Sequence, residues 1–293
     1  MRLIRPGLFV VIFLAAVSLR AQSSVPVLAQ PIPGQTLAPG GDAVTINASS
    51  HFILPGVVGT QFVRYETVLG RFAVELRDDV APRHVANFLS YVRANAYVNS
   101  FIHRSAALEA GSPSIVQGGG YAYRLPFEVF PLAKLSPGAL EYNLANARGT
   151  LAAARTSDVN SATSEWFFNV RDNSTVLNQA NGGGYTVFGR VLGTGMAVVD
   201  AIAAVRVFNA GSPFNEVPLR NYTAGDPTAA NLIVITSITP ATLFPTGGGS
   251  SVLDLVVQNS APSVVSTVLS GSTLTLTPLR PGTANLTIRA THA

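Results

Sequence analysis

The sequence contains no cysteine, and only 12% of its residues are charged. The absence of cysteine excludes disulfide bonds and thiolate metal sites, so an exported domain of this composition must rely on its hydrophobic core. Hydrophobic residues make up 47% of the chain, which permits a sizeable core and argues against disorder over most of its length. A chain of 293 residues has room for about two domains. The composition therefore indicates a globular protein.

Basic residues are concentrated at the start of the chain. Arg2 and Arg5 precede an apolar run at residues 8–19, and Ala21 is the predicted last residue before cleavage of a signal peptide. The run is short for a membrane span of ~20 residues, which favours a signal over the alternative of an uncleaved anchor. Removing residues 1–21 takes away Arg2, Arg5 and Arg20 and no acid, so the formal charge of +4 falls to +1.

This remaining charge gives no indication of a nucleic-acid partner, which would require a clustered basic patch. We expect an exported protein, periplasmic or extracellular and at the cell surface, with no stable membrane insertion after signal removal. The sequence gives no indication of the oligomeric state.

Turn residues and alternating patterns divide the rest of the chain into three parts. Residues 22–61 are interpreted as a linker with one short β segment at 43–47, and residues 62–240 as the main domain. Residues 241–293 alternate apolar with polar residues after a glycine-rich boundary, which predicts a small all-β module. Because this module is short for a self-sufficient sandwich, we expect the strand at 43–47 to complete it.

The main domain is predicted to be mostly β with two helices. One helix begins at Pro82, and Val85, Phe88, Leu89 and Val92 follow at the spacing of one buried helix face. The second helix is predicted over residues 196–205, and a polar excursion over 209–229. The predicted strands are residues 62–67, 72–76, 115–117, 149–154, 166–170, 186–191 and 232–238.

Two short motifs in this domain place a cation near a neutral amide. Asn-Ser-Phe-Ile-His-Arg ends at Arg104, and Ile-Val-Gln-Gly-Gly-Gly carries Gln117. Rotation about a peptide bond is opposed by a barrier of roughly 18–20 kcal/mol, and no nucleophile or metal is needed to lower it. A donor that withdraws electron density from a prolyl nitrogen, beside an apolar pocket, would favour the twisted amide.

Three further segments follow these motifs, namely Gly-Thr-Leu-Ala-Ala-Ala-Arg-Thr-Ser at 149–157, Asn-Ser-Ala-Thr-Ser-Glu-Trp-Phe-Phe-Asn at 160–169 and Gly-Tyr-Thr-Val-Phe-Gly-Arg-Val at 184–191. In this order and spacing, residues 62–240 resemble the cyclophilin family of peptidyl-prolyl cis-trans isomerases. The resemblance implies a closed antiparallel eight-stranded barrel capped by two helices. It also implies isomerase activity on X-Pro bonds of exported proteins, proline-containing polypeptides as partners, and no cofactor or metal. The C-terminal module resembles bacterial immunoglobulin-like modules and is expected to be β-sandwich-like.

The resemblance also assigns roles to individual residues. Arg104 is the cation that contacts the substrate carbonyl and prolyl nitrogen, and Gln117 orients it; the alternatives are a surface cation and an amide that closes a loop. His103 is interpreted as a buried structural support, since no proton transfer is needed. The remaining substrate-binding positions are Ile115, Ala154, Arg155, Glu165, Phe167, Leu177 and Tyr185. Phe167 is alternatively an ordinary core residue.

Two positions depart from the family pattern. Ser114 stands where a pocket phenylalanine is expected. The connector before it is longer than is usual in the family, so Ser114 need not line the wall of the pocket. Glu165 replaces a glutamine, and a Glu165–Arg104 ion pair would compete with the substrate carbonyl. The alternative function is therefore a catalytically weakened peptide-binding or surface-adhesion protein. A hydrolase is disfavoured, because the sequence has no Gly-x-Ser-x-Gly or His-Glu-x-x-His motif.

Overall fold

The computed structural model describes the backbone of residues 8–12 and all of residues 25–111, 114–179 and 182–293. The chain divides into two compact units, one formed by the described residues up to Val57 together with Thr242–Ala293, and the other by Val58–Ala241. Most of the predicted signal peptide lies outside the described residues, apart from residues 8–12, which form a strand. None of the helices in the described ranges is long and apolar enough to cross a membrane.

The secondary structure is dominated by strands. In chain order these are β1 (Leu8–Ile12), β2 (Val27–Leu28), β3 (Gln35–Leu37), β4 (Val44–Asn47), β5 (Phe52–Ile53), β6 (Gln61–Thr67), β7 (Gly70–Leu76), β8 (Ser100–Phe101), β9 (Arg104–Ala106), β10 (Ile115–Gly118), β11 (Tyr121–Arg124), β12 (Glu128–Pro131), β13 (Thr150–Ala153), β14 (Trp166–Asn169), β15 (Val187–Val191), β16 (Val207–Phe208), β17 (Val217–Pro218), β18 (Val234–Thr242), β19 (Ser250–Ser251), β20 (Leu253–Asn259), β21 (Val265–Ser270), β22 (Thr273–Pro278) and β23 (Thr283–His292). The α-helices are α1 (Pro82–Arg93), α2 (Ser174–Leu177) and α3 (Met196–Ala203), and 3-10 helices lie at Ala48–His51, Gly193–Gly195 and Ala229–Asn231.

The unit from Val58 to Ala241 is built on one curled antiparallel sheet. Its strand order is β12-β11-β8-β18-β6-β7-β15-β13-β14-β10-β9. Two consecutive residues, which lie between β8 and β9 in the chain, donate hydrogen bonds to segments that are far apart in this order. The Ile102 N–H donates to Ile233 O at 3.0 Å, and the His103 N–H donates to Gln117 O at 3.1 Å. The prediction of a mainly β domain is confirmed, and these two bonds link the segment between β8 and β9 both to β10 and to the residue that precedes β18.

The core of this unit is an aromatic cluster covered by α1. The Tyr65 ring stacks on Phe72 at 4.9 Å between centroids and meets Trp166 edge-on at 5.4 Å. Helix α1 begins at Pro82, whose missing N–H is not needed in the first turn. Its buried face carries Val85, Phe88, Leu89 and Val92, as the spacing predicts. The second predicted helix is present as α3 and ends two residues earlier than expected.

The other unit combines strands from both ends of the described chain. One sheet has the order β20-β23-β1-β3, a second has β21-β22-β4, and β2 pairs with β5. Alternate residues of β22 and β23 are buried in a shared core, among them Leu274, Leu276, Leu286 and Ile288. Strand β4 lies antiparallel to β22, with Ile46 opposite Leu274. The expectation that residues 43–47 complete the C-terminal module is therefore confirmed, and the segment predicted as a linker contains β2, β3 and β5 as well.

Candidate active site

Arg104 and Gln117 face each other on neighbouring strands. Arg104 is the first residue of β9, and its register partner on β10 is Gln117. Residues directly opposite on antiparallel strands carry their side chains on the same face of the sheet. Arg104 Nη1 donates to Gln117 Oε1 at 3.4 Å. The structure therefore brings together the two residues that were predicted to be catalytic.

The same row continues into an apolar cluster. Gln117 lies opposite Phe167 on β14, so Arg104, Gln117 and Phe167 occupy adjacent positions across three strands. We refer to these three residues as the cation-to-aromatic row. Phe167 is buried with Ile115 and Leu177, two further predicted substrate-binding residues. The row thus runs from a cation whose side chain is 41% exposed to an apolar floor.

Glu165 binds Gln117 and His103, and not Arg104. Its Oε2 accepts from Gln117 Nε2 at 2.7 Å and lies 3.4 Å from His103 Nε2. Within the described part of the chain no Glu165–Arg104 ion pair is formed, because the Gln117 amide lies between the two charges. The expected competition between Glu165 and the substrate carbonyl for Arg104 is therefore not what the structure shows.

The charge of Glu165 determines how the Gln117 amide is oriented. Burial alone raises the pKa of the Glu165 carboxyl, but hydrogen bonds from His103 and Gln117, together with electrostatic attraction to His103 and Lys134, outweigh this and lower the pKa below the usual glutamate value. The ionised carboxylate accepts hydrogen bonds and donates none. The NH₂ group of Gln117 must therefore face Glu165, which turns its carbonyl oxygen towards the Arg104 guanidinium.

His103, which was predicted to be a structural support, is buried next to Glu165. The residue is 5% exposed, and its ring packs edge-on against Tyr121 at 5.1 Å between centroids. Its Nε2 faces Glu165, and its backbone N–H donates to Gln117 O. His103 thus contacts the Glu165 carboxylate through its ring and β10, the strand of Gln117, through its backbone.

The three glycines after Gln117 keep the backbone close to these groups. Gly119 has φ +78°, and a Cβ there would lie 2.5 Å from Ser164 O. A Cβ on Gly120 would lie 2.9 Å from the His103 ring and 3.0 Å from the Glu165 carboxyl carbon. Side chains at these positions would push the support groups apart, which agrees with the interpretation of a tight backbone turn.

Ser114 does not form a wall of the apolar cluster. It is 1% exposed, and its Oγ accepts from the Leu108 N–H at 3.2 Å. Leu108, from the long connector, packs against the cluster that contains Ile115 and Phe167. The connector therefore supplies an aliphatic side chain near the place where the sequence lacks an aromatic one. No motif in the sequence indicated this role for Leu108.

The remaining predicted residues lie at the edge of the cluster. Arg155 Nε and Nη2 donate to Gly184 O at 2.9 and 2.6 Å, and its guanidinium lies over the Tyr185 ring at 4.8 Å. Tyr185 in turn meets Phe167 edge-on at 5.6 Å. Ala154 packs against the same cluster, and its N–H donates to Glu165 O at 2.9 Å. These contacts place Ala154, Arg155 and Tyr185 beside Phe167.

A second carboxylate, which sequence reasoning missed, reaches Arg104. Arg104 Nε donates to Glu216 Oε2 at 2.8 Å, and the Ser105 N–H donates to Glu216 O at 2.8 Å. Both side chains of the ion pair are about 40% exposed, so water screens the pair and we assign it no more than about 1 kcal/mol of stability. The sequence placed Glu216 only within a polar excursion, and nothing in its pattern linked that excursion to Arg104.

The chemistry available to this arrangement is hydrogen bonding and apolar contact. Among the described residues no group of three or more His, Asp and Glu side chains is placed to hold a metal ion. Arg104 donates to Glu216 from Nε and to Gln117 from Nη1. For its third nitrogen, Nη2, no hydrogen-bond acceptor is found in the described ranges. One edge of a fixed guanidinium is therefore available for a carbonyl oxygen or an amide nitrogen placed over the cluster.

Comparisons with known proteins show which family this chain resembles. Residues 62–224, more than half of the chain, match the family model described as cyclophilin type peptidyl-prolyl cis-trans isomerase/CLD. The peptidyl-prolyl cis-trans isomerase cyp18 of Streptomyces antibioticus is 40% identical over 147 residues, covering 49% of this chain and 84% of the relative. Peptidyl-prolyl cis-trans isomerase B of Escherichia coli is 38% identical over 155 residues, covering 51% of this chain and 88% of the relative.

A solved structure of a cyclophilin type isomerase from Cryptosporidium parvum aligns with 61% of this chain and 96% of its own, at a TM-score of 0.45 and 20% identity. The family model and the relatives, each covering a large share of the matched protein, agree with the resemblance first seen in the motifs. This chain belongs to the cyclophilin family of peptidyl-prolyl cis-trans isomerases.

Proposed function

We propose that this chain isomerises X-Pro bonds in polypeptides, and that Arg104 is the group that lowers the barrier. The observation that carries the proposal is the cation-to-aromatic row, in which a half-exposed guanidinium on β9 and a buried ring on β14 lie on either side of Gln117 on β10. A proline ring held over Phe167, Ile115 and Leu177 would bring its amide towards Arg104. Proline-containing polypeptides are then the partners, and no cofactor is required.

In the proposed mechanism no covalent bond is made or broken. Arg104 Nη2 donates to the substrate, drawing electron density from the prolyl nitrogen, which weakens amide resonance as the bond twists. Gln117 and Glu216 hold the guanidinium in place beforehand, so little reorganisation is needed when the amide twists. A hydrogen bond to a charged group contributes about 1.5–3 kcal/mol, which corresponds to roughly 10- to 150-fold in rate.

The proposal is tested by measuring kcat/KM for cis-trans relaxation of an X-Pro peptide. Arg104→Ala should lower kcat/KM by about 10- to 100-fold, since it removes the charged donor. Arg93→Ala is the matched control, because Arg93 is an exposed cation at the end of α1. An Arg104→Ala protein as active as the Arg93→Ala control would refute the role given to Arg104.

A second function is favoured by one specific observation. Glu216 already occupies Arg104 Nε, so the site has an internal acceptor next to the place of the substrate carbonyl. If that carboxylate competed with substrate, the domain would be a weakened peptide-binding or surface-adhesion protein. Removal of Glu216 would then increase activity, whereas the isomerase proposal requires a decrease.

We further propose that the curled sheet is a closed eight-stranded barrel. The support is the pair of bonds from Ile102 to Ile233 and from His103 to Gln117, through which one chain segment joins β18 to β10. The strands around this circuit are β6, β7, β15, β13, β14, β10, the segment containing β8 and β9, and β18. For the other unit we propose an immunoglobulin-like sandwich, supported by a single core between the sheets containing β22 and β23.

We infer that the protein is exported and assists the folding of periplasmic or secreted proteins. The support is the basic start, apolar run and small residue Ala21 in residues 1–21. N-terminal sequencing of the protein recovered from cells should give Gln22 as the first residue. A mature protein that retains Met1 would contradict cleavage at this position.

A further inference from the structure

A second apolar cavity lies outside the cation-to-aromatic row. The cavity has a volume of about 190 Å³, and every side chain that lines it is Phe, Val, Leu, Ala or Pro. Phe101 comes from β8, Phe127 and Val129 from the β11–β12 hairpin, and Phe214 and Val217 from the excursion predicted to be polar. The excursion thus turns an apolar surface inwards and a polar one outwards.

The cavity has a buried floor and an exposed mouth. Phe101, Val217 and Leu232 are 1%, 3% and 4% exposed, whereas Phe127 at the edge is 37% exposed. Ala210, also at the edge, is exposed. Water in contact with so much apolar surface is unfavourable, and an apolar group entering the cavity would displace it. This volume is below the roughly 300–1,000 Å³ of sites that enclose a whole small ligand, so the cavity suits a single side chain better.

The cavity adjoins residues that contact the candidate active site. Val217 lines the cavity, and the preceding residue, Glu216, holds Arg104 by its side chain. A second connection passes through aromatic rings, since Phe214 meets Tyr121 at 4.9 Å and Tyr121 meets His103 at 5.1 Å. Residues that line the cavity thus adjoin residues that contact Arg104 and His103, and an extended peptide covers about 3.3 Å for each residue between the two places.

We propose that this cavity binds an apolar side chain of the client polypeptide, of leucine or phenylalanine size, a few residues from the proline that is isomerised. The proposal rests on the proposed function, because its occupant is part of the same bound chain. It gives the enzyme a preference for X-Pro bonds in apolar segments, which are exposed in unfolded chains and buried in folded ones. Such a preference suits an isomerase that acts on folding intermediates.

The test uses peptides with one Ala-Pro bond and either Leu or Ser placed two, three, four or five residues from the proline, on either side. For wild type, the Leu peptide should have a kcat/KM about 3- to 10-fold above its Ser counterpart at one spacing. Ala210→Trp fills the mouth and should reduce this ratio to below about 2. Ala224→Trp is the matched control, because Ala224 is exposed in the same excursion and does not line the cavity.

A second variant tests the cavity independently, in case Ala210→Trp does not fold. Phe127→Ser removes one wall of the mouth and should lower the same ratio. A short Ala-Pro peptide without the extra residue should be turned over equally by wild type and all three variants. Peptide binding is measured alongside by calorimetry, so that the cavity is assessed even without turnover.

Three results would overturn the proposal. One is the absence of a Leu-over-Ser preference at every spacing, in both turnover and binding. Another is a preference that survives in Ala210→Trp. The third is a dimer of the wild-type protein that Ala210→Trp dissociates, which would make a second copy the occupant. If wild type fails to turn over even the short peptide, the proposed function is wrong. The Leu-over-Ser ratio in peptide binding then still tests whether the cavity binds an apolar side chain.

Discussion

Arg104 is held at two of its three nitrogens. Glu216 accepts from Nε and Gln117 accepts from Nη1, which leaves the Nη2 edge for the substrate. A guanidinium presents its donors in one rigid plane, so two fixed contacts determine the direction of the third. Arg104 itself could be predicted from the sequence, because its motif lies next to that of Gln117. Glu216 could not, because it is 112 residues away and only the folded excursion brings it near.

The anchoring by Glu216 predicts a loss of activity when it is removed. Glu216→Ala should lower kcat/KM by about 3- to 10-fold, mainly in kcat, because the guanidinium loses its direction and not its charge. Glu216→Gln retains an acceptor and should lose less. The effect is measured by cis-trans relaxation at several peptide concentrations.

Glu66→Ala provides the control for this change, since Glu66 forms an ion pair with Arg64 in β6, away from Arg104. An increase in kcat/KM for Glu216→Ala would contradict the positioning role and support the binding protein instead.

The lowered pKa of Glu165 predicts a dependence of stability on pH. Burial raises this pKa, but the hydrogen bonds from His103 and Gln117 and the electrostatic effects of His103 and Lys134 together lower it further than burial raises it. Because the folded-state pKa lies below the unfolded one, the ionised group stabilises the fold at pH values above the unfolded-state pKa. This contribution is lost as the pH falls through the folded-state pKa.

Urea unfolding measured from pH 6 to pH 3 should therefore show a steeper decline for wild type than for Glu165→Gln. Glu109→Gln, at an exposed position of the connector, should follow the wild-type curve. Parallel curves for wild type and Glu165→Gln would show that Glu165 contributes nothing of this kind.

Among the elements, α1 has an unusual N-terminal cap. Its N-cap residue, Ala81, has no side chain that could accept a hydrogen bond. Glu141, from a distant loop, instead accepts from the N–H groups of Arg83 and His84 at 3.2 and 3.0 Å and from His84 Nδ1 at 2.8 Å. A carboxylate at this end of a helix satisfies free donors and interacts favourably with the helix dipole.

Glu141→Ala should therefore lower the free energy of unfolding by about 1–2 kcal/mol. Asp226→Ala, at an exposed position, should change it by less than about 0.5 kcal/mol. Chemical denaturation followed by tryptophan fluorescence measures both. A Glu141→Ala protein as stable as Asp226→Ala would show that Glu141 does not act as the cap.

Elements with a marked apolar pattern could be predicted from the sequence, and several of the shortest ones could not. Helix α1 has a four-residue apolar pattern at one spacing, which only a helix explains. Helix α2 has four residues, and β16 and β17 have two each, too few to show any period. Their structure depends on partners elsewhere in the chain. The β11–β12 hairpin was also missed, although β10, β13 and β14, which are equally short, were predicted.

At the scale of the whole molecule, the C-terminal module depends on a segment far away in sequence. Strand β4 adds to the sheet of β21 and β22, and Phe52 and Leu37 share the core of β22 and β23. The alternation in the tail predicted strands, and its short length predicted that a further strand was needed. The additional strands β2, β3 and β5 could not be predicted, because their segment is rich in proline and glycine.

A fragment of residues 246–293 should therefore be unfolded and rapidly digested, because it lacks β4 and the N-terminal part of the core. Limited proteolysis and circular dichroism test this against the full chain, in which the same strands should resist cleavage. A cooperatively folded, protease-resistant fragment would show that the C-terminal strands are sufficient alone.

The central claim is that Arg104 stabilises the twisted amide and does not merely bind the peptide. NMR exchange spectroscopy on an X-Pro peptide, at saturating protein, measures the rate of interconversion on the enzyme separately from the dissociation constant. We predict that Arg104→Ala lowers the on-enzyme rate about 10- to 100-fold, while the dissociation constant changes less than about 3-fold because the apolar cluster remains. An unchanged on-enzyme rate, with the whole loss in affinity, would contradict the account.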